Sequence, residues 1–425
     1  MREMKDSGIA WIGAMPRAWK MNTIAQIFLQ VKCKNTGLQE KNLLSLSYGK
    51  VKRKSIDTVE GLLPESFDGY NIIEKDDIVL RLTDLQNDHT SLRVGLAEER
   101  GIITSAYLTI RNRSNFCPKY LYYYLHSFDI AKGFYGMGAG VRQGLNWDGI
   151  KWLKILAPSV PEQERIAAFL DAECAEIDTV LEKTRASIEE YKKLKQAVIT
   201  QAVTKGIRGD MPMKDSGIEW IGEIPEGWEI IPVKYLAKYN YATLAESCSP
   251  DFEFSYIDIG SVTYTDGITN YQNFKFKDAP SRARRIVHSG DILVSTVRTY
   301  LRAVACVNEH RLPQIASTGF LVLQADTSKI HPHFLMYSVL SDNFICKVEA
   351  NSVGISYPAI NASQIVHFKL PIPQLSEQFL LVTYLDRQCS EIDALLSKNL
   401  SSIEDYKKLK QAVITQAVTK GVREG

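Results

Sequence analysis

Two stretches of this chain are identical: Tyr191-Lys-Lys-Leu-Lys-Gln-Ala-Val-Ile-Thr-Gln-Ala-Val-Thr-Lys-Gly206 and residues 406–421. A second pair opens each half, where Met4-Lys-Asp-Ser-Gly-Ile-Ala-Trp-Ile-Gly13 recurs at residues 213–222 with only Ala10 replaced, by Glu219. The chain is therefore a tandem duplication in which near-identical ends enclose divergent middles. This pattern predicts a shared framework that carries two different surfaces.

The residues that lead into the repeated block predict two long helices. From Pro161 to Lys205 there is no Gly and no further Pro, and seam residues recur at spacings of four and three, as in a heptad repeat. The first seam contains Leu170, Cys174, Ile177, Leu181, Thr184, Ile188, Tyr191, Lys195 and Val198. The second seam lies 215 residues later and contains Leu385, Cys389, Ile392, Leu396, Asn399, Ile403, Tyr406, Lys410 and Val413. The simplest partner for each apolar stripe is the other helix, and two unrelated amphipathic surface helices are the alternative.

The middles, residues 20–157 and 229–372, have a different pattern from the helices. They contain short β-rich runs, such as residues 77–82 and 291–296, and each has a Pro-initiated segment with an aromatic and leucine face, at Pro118 and Pro332. Faint matches between the two middles persist at an offset of 214 or 215 residues. The two middles are therefore predicted to share one mixed α/β fold, which makes the whole chain an α+β protein.

Composition narrows the class of protein. The chain has 425 residues, of which 45% are hydrophobic and 24% charged, and its formal net charge is +2. These are ordinary values for a globular protein of two or three domains, and no apolar run is long enough to span a bilayer. The charged start, with no apolar run after it, does not resemble a signal peptide. We therefore expect a cytoplasmic location.

Catalytic motifs are missing from the sequence. There is no phosphate-binding loop for ATP, no nucleophile elbow, no His-Glu-x-x-His and no Cys or His spacing typical of zinc. A glycine cluster at residues 133–140 could approach a nucleotide, but it follows a predicted helix and has no counterpart in the second half. A flexible loop, which could reach DNA, is the favoured interpretation. The sequence predicts a chain that is not an enzyme and holds no metal.

Basic residues cluster in both middles. Lysine and arginine can neutralise phosphates, and Arg, Gln and Asn can form paired hydrogen bonds with base edges. The DNA-binding candidates are Lys50, Lys52, Arg53, Lys54, Arg81, Arg142 and Gln143 in the first half, and Lys275, Lys277, Arg282, Arg284, Arg285, Arg298 and Tyr357 in the second. Arg93, Arg111, Arg113 and Arg302 lie in the same regions. A solvated charged surface is the alternative for any one of them, but the dense runs in both middles favour nucleic acid.

The chain resembles the specificity subunit of a type I restriction-modification enzyme over essentially its whole length. The resemblance rests on the paired Lys-Asp-Ser-Gly-Ile-x-Trp-Ile-Gly motifs, on the helix starts Glu162-Gln163 and Glu377-Gln378, and on the repeated helix ends. It implies two target recognition domains, each of which reads one half of a split double-stranded DNA sequence. It also implies that the two helices pair as an antiparallel coiled coil, which spaces the half-sites. The implied divisions are 1–157 and 210–372 for recognition, 158–209 for the first spacer helix and its linker, and 373–425 for the second spacer helix.

The resemblance further implies partners. Two modification subunits would use S-adenosylmethionine to methylate adenine, and restriction subunits would translocate and cleave DNA with ATP and Mg, so this chain needs no cofactor of its own. Lys192, Lys193, Lys407 and Lys408 are candidates for docking the modification subunits on the outer faces of the helices. The competing hypothesis is a protein-interaction scaffold built on the coiled coil. Steep weakening of DNA binding with rising salt would distinguish the two.

Overall fold

The computed structural model of the chain describes residues 2–54, 66–88, 91–137 and 144–422. Two compact units are present, one made of Met1–Thr184 and Ser401–Gly425, the other of Arg185–Leu400. The first unit is thus built from both ends of the chain. No helix among the described residues is long and apolar enough to cross a membrane. The recognition and spacer limits given above divide the chain by role and remain a prediction.

The first unit is a mixed structure in which short strands precede a long helix. Its elements are β1 (Met4–Asp6), β2 (Ala14–Pro16), β3 (Lys20–Thr23), α1 (Ile24–Ile27), β4 (Phe28–Gln30), β5 (Leu44–Ser47), β6 (Lys50–Arg53), β7 (Asn71–Ile73), β8 (Ile78–Leu80), β9 (Val94–Leu96), β10 (Gly101–Ile103), β11 (Leu108–Asn112), α2 (Pro118–Ile130), α3 (Trp147–Ile150), β12 (Lys154–Ala157) and α4 (Val160–Lys205). Helix α4 continues into the second unit. The main sheet is antiparallel in the order β4-β11-β8-β9. A parallel bridge between Leu43 and Ile102 joins the hairpin β5–β6 to the pair β7–β10.

The second unit repeats this architecture. Its elements are β13 (Met213–Asp215), β14 (Glu223–Pro225), β15 (Glu229–Pro232), α5 (Val233–Leu236), β16 (Ala237–Tyr239), β17 (Glu253–Ile257), β18 (Val262–Thr263), β19 (Gly267–Ile268), β20 (Gln272–Lys275), β21 (Ala283–Val287), β22 (Ile292–Ser295), β23 (Val304–Cys306), β24 (Gln314–Ser317), β25 (Phe320–Ala325), α6 (Pro332–Leu340), α7 (Asp342–Ala350), α8 (Ala362–Ile365), β26 (Lys369–Ile372) and α9 (Leu375–Lys420). One sheet has the order β16-β25-β22-β23, and the other has the order β20-β17-β24-β21 with β17 and β24 parallel. The first order matches β4-β11-β8-β9, and the second matches β6-β5-β10-β7 if the Leu43–Ile102 bridge is counted, whereas the pair β18–β19 is found in the second unit alone among the described residues. The predicted α+β fold with two equivalent middles is confirmed.

The repeated Lys-Asp-Ser-Gly-Ile motif forms a tight hairpin in each unit. Strand β1 pairs with β2, and β13 pairs with β14 in the same register. The Asp6 carboxylate accepts a hydrogen bond from the Gly8 backbone N–H at 3.0 Å, and Gly8 has φ +70°. Gly217, at the equivalent place, has φ +68° and donates to Asp215 at 2.9 Å. Only glycine adopts this backbone conformation without strain, which explains its place in both copies of the motif.

The paired Glu-Gln residues anchor the start of each long helix. Gln163 is completely buried, accepts a hydrogen bond from the Cys117 N–H at 2.9 Å, and donates to the Pro158 carbonyl at 2.9 Å. It thereby satisfies the N-terminus of α2, whose first residue is the predicted Pro118. Its neighbour Glu162 accepts from the Trp19 indole N–H at 3.0 Å. Gln378 and Glu377 form the equivalent contacts in the second unit, with His331 and Trp228.

The two long helices, α4 and α9, each contain 46 residues, or about 69 Å at 1.5 Å per residue. Each ends at a glycine in the left-handed conformation, Gly206 with φ +72° and Gly421 with φ +80°. Ten seam residues are buried: Leu170, Cys174, Ile177, Leu181, Ile188, Leu385, Cys389, Ile392, Leu396 and Ile403. The half-buried seam residues are Thr184, Tyr191, Lys195, Val198, Asn399, Tyr406, Lys410 and Val413.

Matching ion pairs show how the helix segments pair within each unit. In the first unit the Lys410 ammonium lies 2.6 Å from the Asp178 carboxylate, and in the second unit Lys195 lies 2.7 Å from Asp393. Lys195 and Lys410 are repeat equivalents, as are Asp178 and Asp393. In each unit an early residue of one helix therefore meets a late residue of the other, which makes the paired segments antiparallel.

Near their C-terminal ends the helices turn a different face inward. In the first unit Ile414, Ala417 and Val418 of α9 belong to the same buried core as Trp19, Ile155 and Leu170. In the second unit the equivalent residues of α4, Ile199, Ala202 and Val203, join the core around Trp228. The buried residues here are Ile199 and Ile414, one position after the predicted seam residues Val198 and Val413, because the helix ends contact an α+β core. The identical blocks of the sequence are components of those cores.

Candidate nucleic-acid interface

The first unit presents a basic hairpin. Strands β5 and β6 are joined by Tyr48 and Gly49, both at positive φ, and the Tyr48 side chain is 84% exposed. Lys50 and Lys52 alternate along β6, so they lie on the same face of the hairpin. Both line a cleft of about 570 Å³ whose other walls include α2 and the paired helix segments. Neither lysine forms an ion pair within the described residues.

The other candidates of the first unit are more constrained. Arg53 forms an ion pair with Glu99, and Arg81 lies 3.7 Å from the Asp88 carboxylate. Lys54 follows β6, where its side chain is half-buried and its backbone N–H donates to Leu43. Arg142 and Gln143 lie outside the described residues. Lys50 and Lys52 are therefore the most available cations of the predicted set in this unit.

In the second unit, two predicted lysines are surrounded by acidic groups. Lys275 lies 3.7 Å from Asp251 and 3.9 Å from Glu253, and Lys277 lies 3.2 Å from Asp251. All four side chains are substantially exposed. Because nearby carboxylates repel phosphate, this cluster is a weaker anion site than the lysine run in the sequence suggested.

Three arginines lie on or beside strand β21. Arg282, just before the strand, lies 3.3 Å from the Asp258 carboxylate, and the Arg284 guanidinium lies 5.2 Å from the centre of the Phe276 ring. Arg285 is half-buried, and its Nε has no hydrogen-bond partner among the described residues. Burial lowers the pKa of Arg285 from its usual value. A buried donor without a partner is costly, and an acceptor on a bound ligand would relieve that cost.

Arg298 and Tyr357 form a pair on adjoining loops. The Arg298 guanidinium lies over the Tyr357 ring, 5.0 Å from its centre, and the tyrosine is 65% exposed. Arg298 has φ +50°, in the left-handed region that is unfavourable for a residue other than glycine. It forms no ion pair within the described part of the chain. The sequence prediction thus named both members of a pair that only the fold brings together.

Other arginines of the basic runs have structural roles. Arg93 is completely buried and donates to the backbone carbonyls of Arg81 and Thr83 at 3.1 and 2.8 Å. Arg111 forms a two-point hydrogen bond with the buried Asp77, and Arg302 binds both Asp342 and Glu349. The prediction that Arg93 belongs to the basic surface was wrong, because its buried guanidinium donates hydrogen bonds to backbone carbonyls of the loop after β8.

The structure also exposes apolar residues that the sequence analysis did not select. The most exposed of them are Tyr48 and, in the loop after α7, Val353 and Ile355, of which Ile355 is fully exposed. An available signal was the alternation of apolar residues around Gly354 in a segment with no charged residue. Groups of three or more side chains able to hold a metal ion are not found among the described residues.

The family model of the type I restriction modification DNA specificity domain matches residues 225–405 of this chain. The chain is 23% identical to a putative type I restriction enzyme specificity subunit, MjaX, of Methanocaldococcus jannaschii, in an alignment covering 97% of this chain and 95% of that protein. It is 25% identical to the MjaVIII specificity subunit of the same organism, over 64% of this chain and 62% of that one.

Solved structures show the same fold. A structure described as showing complex assembly and conformational transition of the type I R-M system contains a chain with a TM-score of 0.69 and 16% identity, over 96% of this chain and 99% of that one. The HsdS subunit from Thermoanaerobacter tengcongensis gives a TM-score of 0.50 and 15% identity, with 96% and 98% of the two chains covered. Residues 225–405 match the specificity-domain family model, and the whole chain is similar to a type I specificity subunit, as the repeated motifs predicted.

Proposed function

We propose that this chain is the non-catalytic DNA-recognition subunit of a type I restriction-modification complex in the cytoplasm. Each α+β unit reads one half of a split double-stranded target, and the paired helices fix the gap between the halves. The observation that carries the proposal is that the two units have the same strand order but different basic and aromatic surfaces. An equal framework with unequal surfaces suits a target of two unlike halves.

The helices have the properties of a spacer. Their ion pairs, Asp178 with Lys410 and Lys195 with Asp393, occupy equivalent repeat positions. Each helix is anchored at its start by a buried glutamine and at its end by core residues, so both of its ends are attached to packed structure. A change in helix length must therefore be taken up by the distance between the half-sites.

Two modification subunits would dock on the repeated outer faces of the helices. Leu194 and Leu409 are equivalent residues within the identical blocks, and each is 48% exposed. The neighbouring candidates Lys192, Lys193 and Lys407 form ion pairs with glutamates one turn earlier, and Lys408 lies 3.9 Å from Asp405. The lysine charges are thus largely balanced, which favours the leucines as the main contacts. S-adenosylmethionine would bind to the modification subunits, and ATP and Mg to the restriction subunits.

The test is a four-residue insertion after Ala186, which lies on the exposed face of α4. Four residues lengthen a helix by about 6 Å, and DNA rises about 3.4 Å per base pair, so we expect a gap longer by about one to two base pairs. The readout is the methylated adenine motif, mapped by sequencing DNA from cells that contain the chain and its modification subunits. Both half-sequences should stay the same.

The matched control places the same four residues at Gly209, in the linker after α4, where a Cβ would have no heavy atom within 4 Å. This variant should keep the original gap. An unchanged gap in the helix variant would refute the spacer role. The absence of any split methylated motif with the unaltered chain would refute the proposed function itself.

A further inference from the structure

Three apolar side chains project from one loop of the second unit. Val353 is 81% exposed, Ile355 is fully exposed and Tyr357 is 65% exposed. Single exposed apolar residues are common, but three at alternate positions of one short loop form a patch, which indicates a surface covered by a partner. We call Val353, Ile355 and Tyr357 the apolar tip.

The loop that carries the apolar tip is held in one shape. Val353 and Ala359 exchange both backbone hydrogen bonds, at 2.9 and 3.0 Å, and so close the loop at its base. Gly354 has φ +125°, and a Cβ at this position would lie 3.0 Å from the Tyr357 carbonyl oxygen. The Thr299 hydroxyl also donates to the Ser352 hydroxyl at 2.9 Å. A loop fixed before binding loses little conformational entropy when its partner arrives.

The charge beside the apolar tip is positive. Arg298 stacks on Tyr357 and has no acidic partner within the described residues. Arg302, four residues later, is held by Asp342 and Glu349, and this fixes the turn that presents Arg298. Since no carboxylate of the described ranges forms an ion pair with Arg298, the tip suits an anionic partner with apolar faces.

A chain of backbone contacts connects the apolar tip to the arginines of β21. Ala359 forms a bridge with Val297, and Thr296 donates to the Gly319 carbonyl at 2.8 Å. The neighbouring Thr318 donates to the Arg282 carbonyl at 2.8 Å. The loops that carry Tyr357, Arg298 and Arg282 therefore adjoin within this unit.

We propose that the apolar tip inserts into a groove of duplex DNA at the second half-site, where Ile355 enters a base step and Tyr357 stacks on an exposed base face. Arg298 contacts the adjacent phosphate. Apolar wedges beside arginines are a known means of unstacking a base step, and base stacking on aromatic rings is sequence-tolerant. The proposal rests on the proposed function and adds that this half-site is read partly through its ease of deformation.

The test uses the full chain with its modification subunits and a duplex that carries the mapped target. 2-Aminopurine replaces each adenine of the second half-site in turn, because its fluorescence rises when the base is unstacked. The adenine that the modification subunit methylates is flipped out of the duplex whether or not the tip inserts, so that position does not test the tip. At one other position we expect a rise with the unaltered chain and its loss in Ile355→Ala. Target affinity should fall about tenfold in Tyr357→Ala, the order that one stacked base contributes. The methylated first half-sequence should not change.

Tyr235→Ala is the matched control. Tyr235 is 59% exposed, and the Lys234 ammonium lies 5.0 Å from the centre of its ring, so it shares the chemistry of Tyr357 away from the tip. This variant should bind DNA normally. Since the substituted side chains are exposed, unfolding curves should coincide and show that all variants fold.

Unaltered affinity and fluorescence in both tip variants would overturn the inference while leaving the proposed function intact. Loss of modification-subunit binding with normal DNA binding would also overturn it, by assigning the tip to a protein interface. If the unaltered complex does not prefer its target to a scrambled duplex, the proposed function fails, and the inference fails with it.

Discussion

A chain shortened to residues 1–209 is expected to form a symmetric dimer. In the full chain the core of the first unit is completed by Ile414, Ala417 and Val418, which the shortened chain lacks. Residues 191–206 remain, however, and they are identical to residues 406–421. A second copy can therefore supply the same side chains in the same helical frame, and the exchange is reciprocal, as a two-fold interface requires.

The loss in free energy of unfolding can be calculated from the burial of the three missing side chains, each at most 2% exposed. Full burial of a Val or Ile contributes about 1.5–3 kcal/mol, and an Ala methyl about 0.8 kcal/mol, so their removal costs roughly 4–7 kcal/mol. The total stability of a domain is about 5–15 kcal/mol. A monomer of residues 1–209 would lose most of its stability, whereas the dimer regains the core and an ion pair in which Lys195 of one copy replaces Lys410 beside Asp178 of the other.

Light scattering coupled to gel filtration measures the mass, and urea unfolding followed by circular dichroism measures stability. We expect a dimer whose unfolding midpoint rises with protein concentration. Val203→Asp in the shortened chain is the control, because it places a charge in the exchanged core and should give an unfolded monomer. A folded 1–209 monomer with a concentration-independent midpoint close to that of the full chain would refute the reasoning.

Two further predictions concern single side chains of the first unit. Gln163→Ala removes the partners of the half-buried Cys117 N–H and the buried Pro158 carbonyl, so the free energy of unfolding should fall by about 2–4 kcal/mol in urea titrations. No loss compared with Gln201→Ala, an exposed control on the same helix, would contradict the anchoring role. Burial lowers the pKa of His126 to about 4, so as the pH falls from about 6.5 to 4 the unfolded chain binds a proton before the folded chain does, and stability decreases. His126→Leu, which introduces the residue found at the repeat-equivalent position 340, should remove up to roughly 3 kcal/mol of that loss. Unfolding curves measured across this pH range test the prediction, and equal pH profiles for the two proteins would refute it.

The framework was accessible from the sequence because local signals and repetition agree there. The long helices follow from a heptad pattern free of glycine and end at Gly206 and Gly421, where the structure places left-handed residues. The duplicated motifs identify the equivalent positions of the two halves from the sequence alone. Their individual roles, such as Gln163 capping a helix 46 residues away in sequence, depend on tertiary contacts that periodicity does not report.

The DNA candidates were less accessible because the availability of a charge depends on its neighbours in space. Arg93 and Arg298 cannot be distinguished by residue type, yet Arg93 is buried and bonded to backbone carbonyls, whereas Arg298 lies over the exposed Tyr357 ring. Lys275 and Lys277 suggest a phosphate-binding pair in the sequence, but strand pairing places Glu253 opposite Lys275. The composition of a segment indicates where a basic surface lies, and the fold determines which of its charged groups are exposed and not paired with carboxylates.

The Lys420 ammonium donates to the carbonyl of Ala14 at 3.0 Å, across 406 residues of sequence. A ribosome makes most of the first unit before it reaches α9, the helix that closes the core of that unit. Until α9 has been made, the core can be completed only by residues 191–206 of a second copy. Folding of the first unit within one chain therefore waits for the second unit to be made.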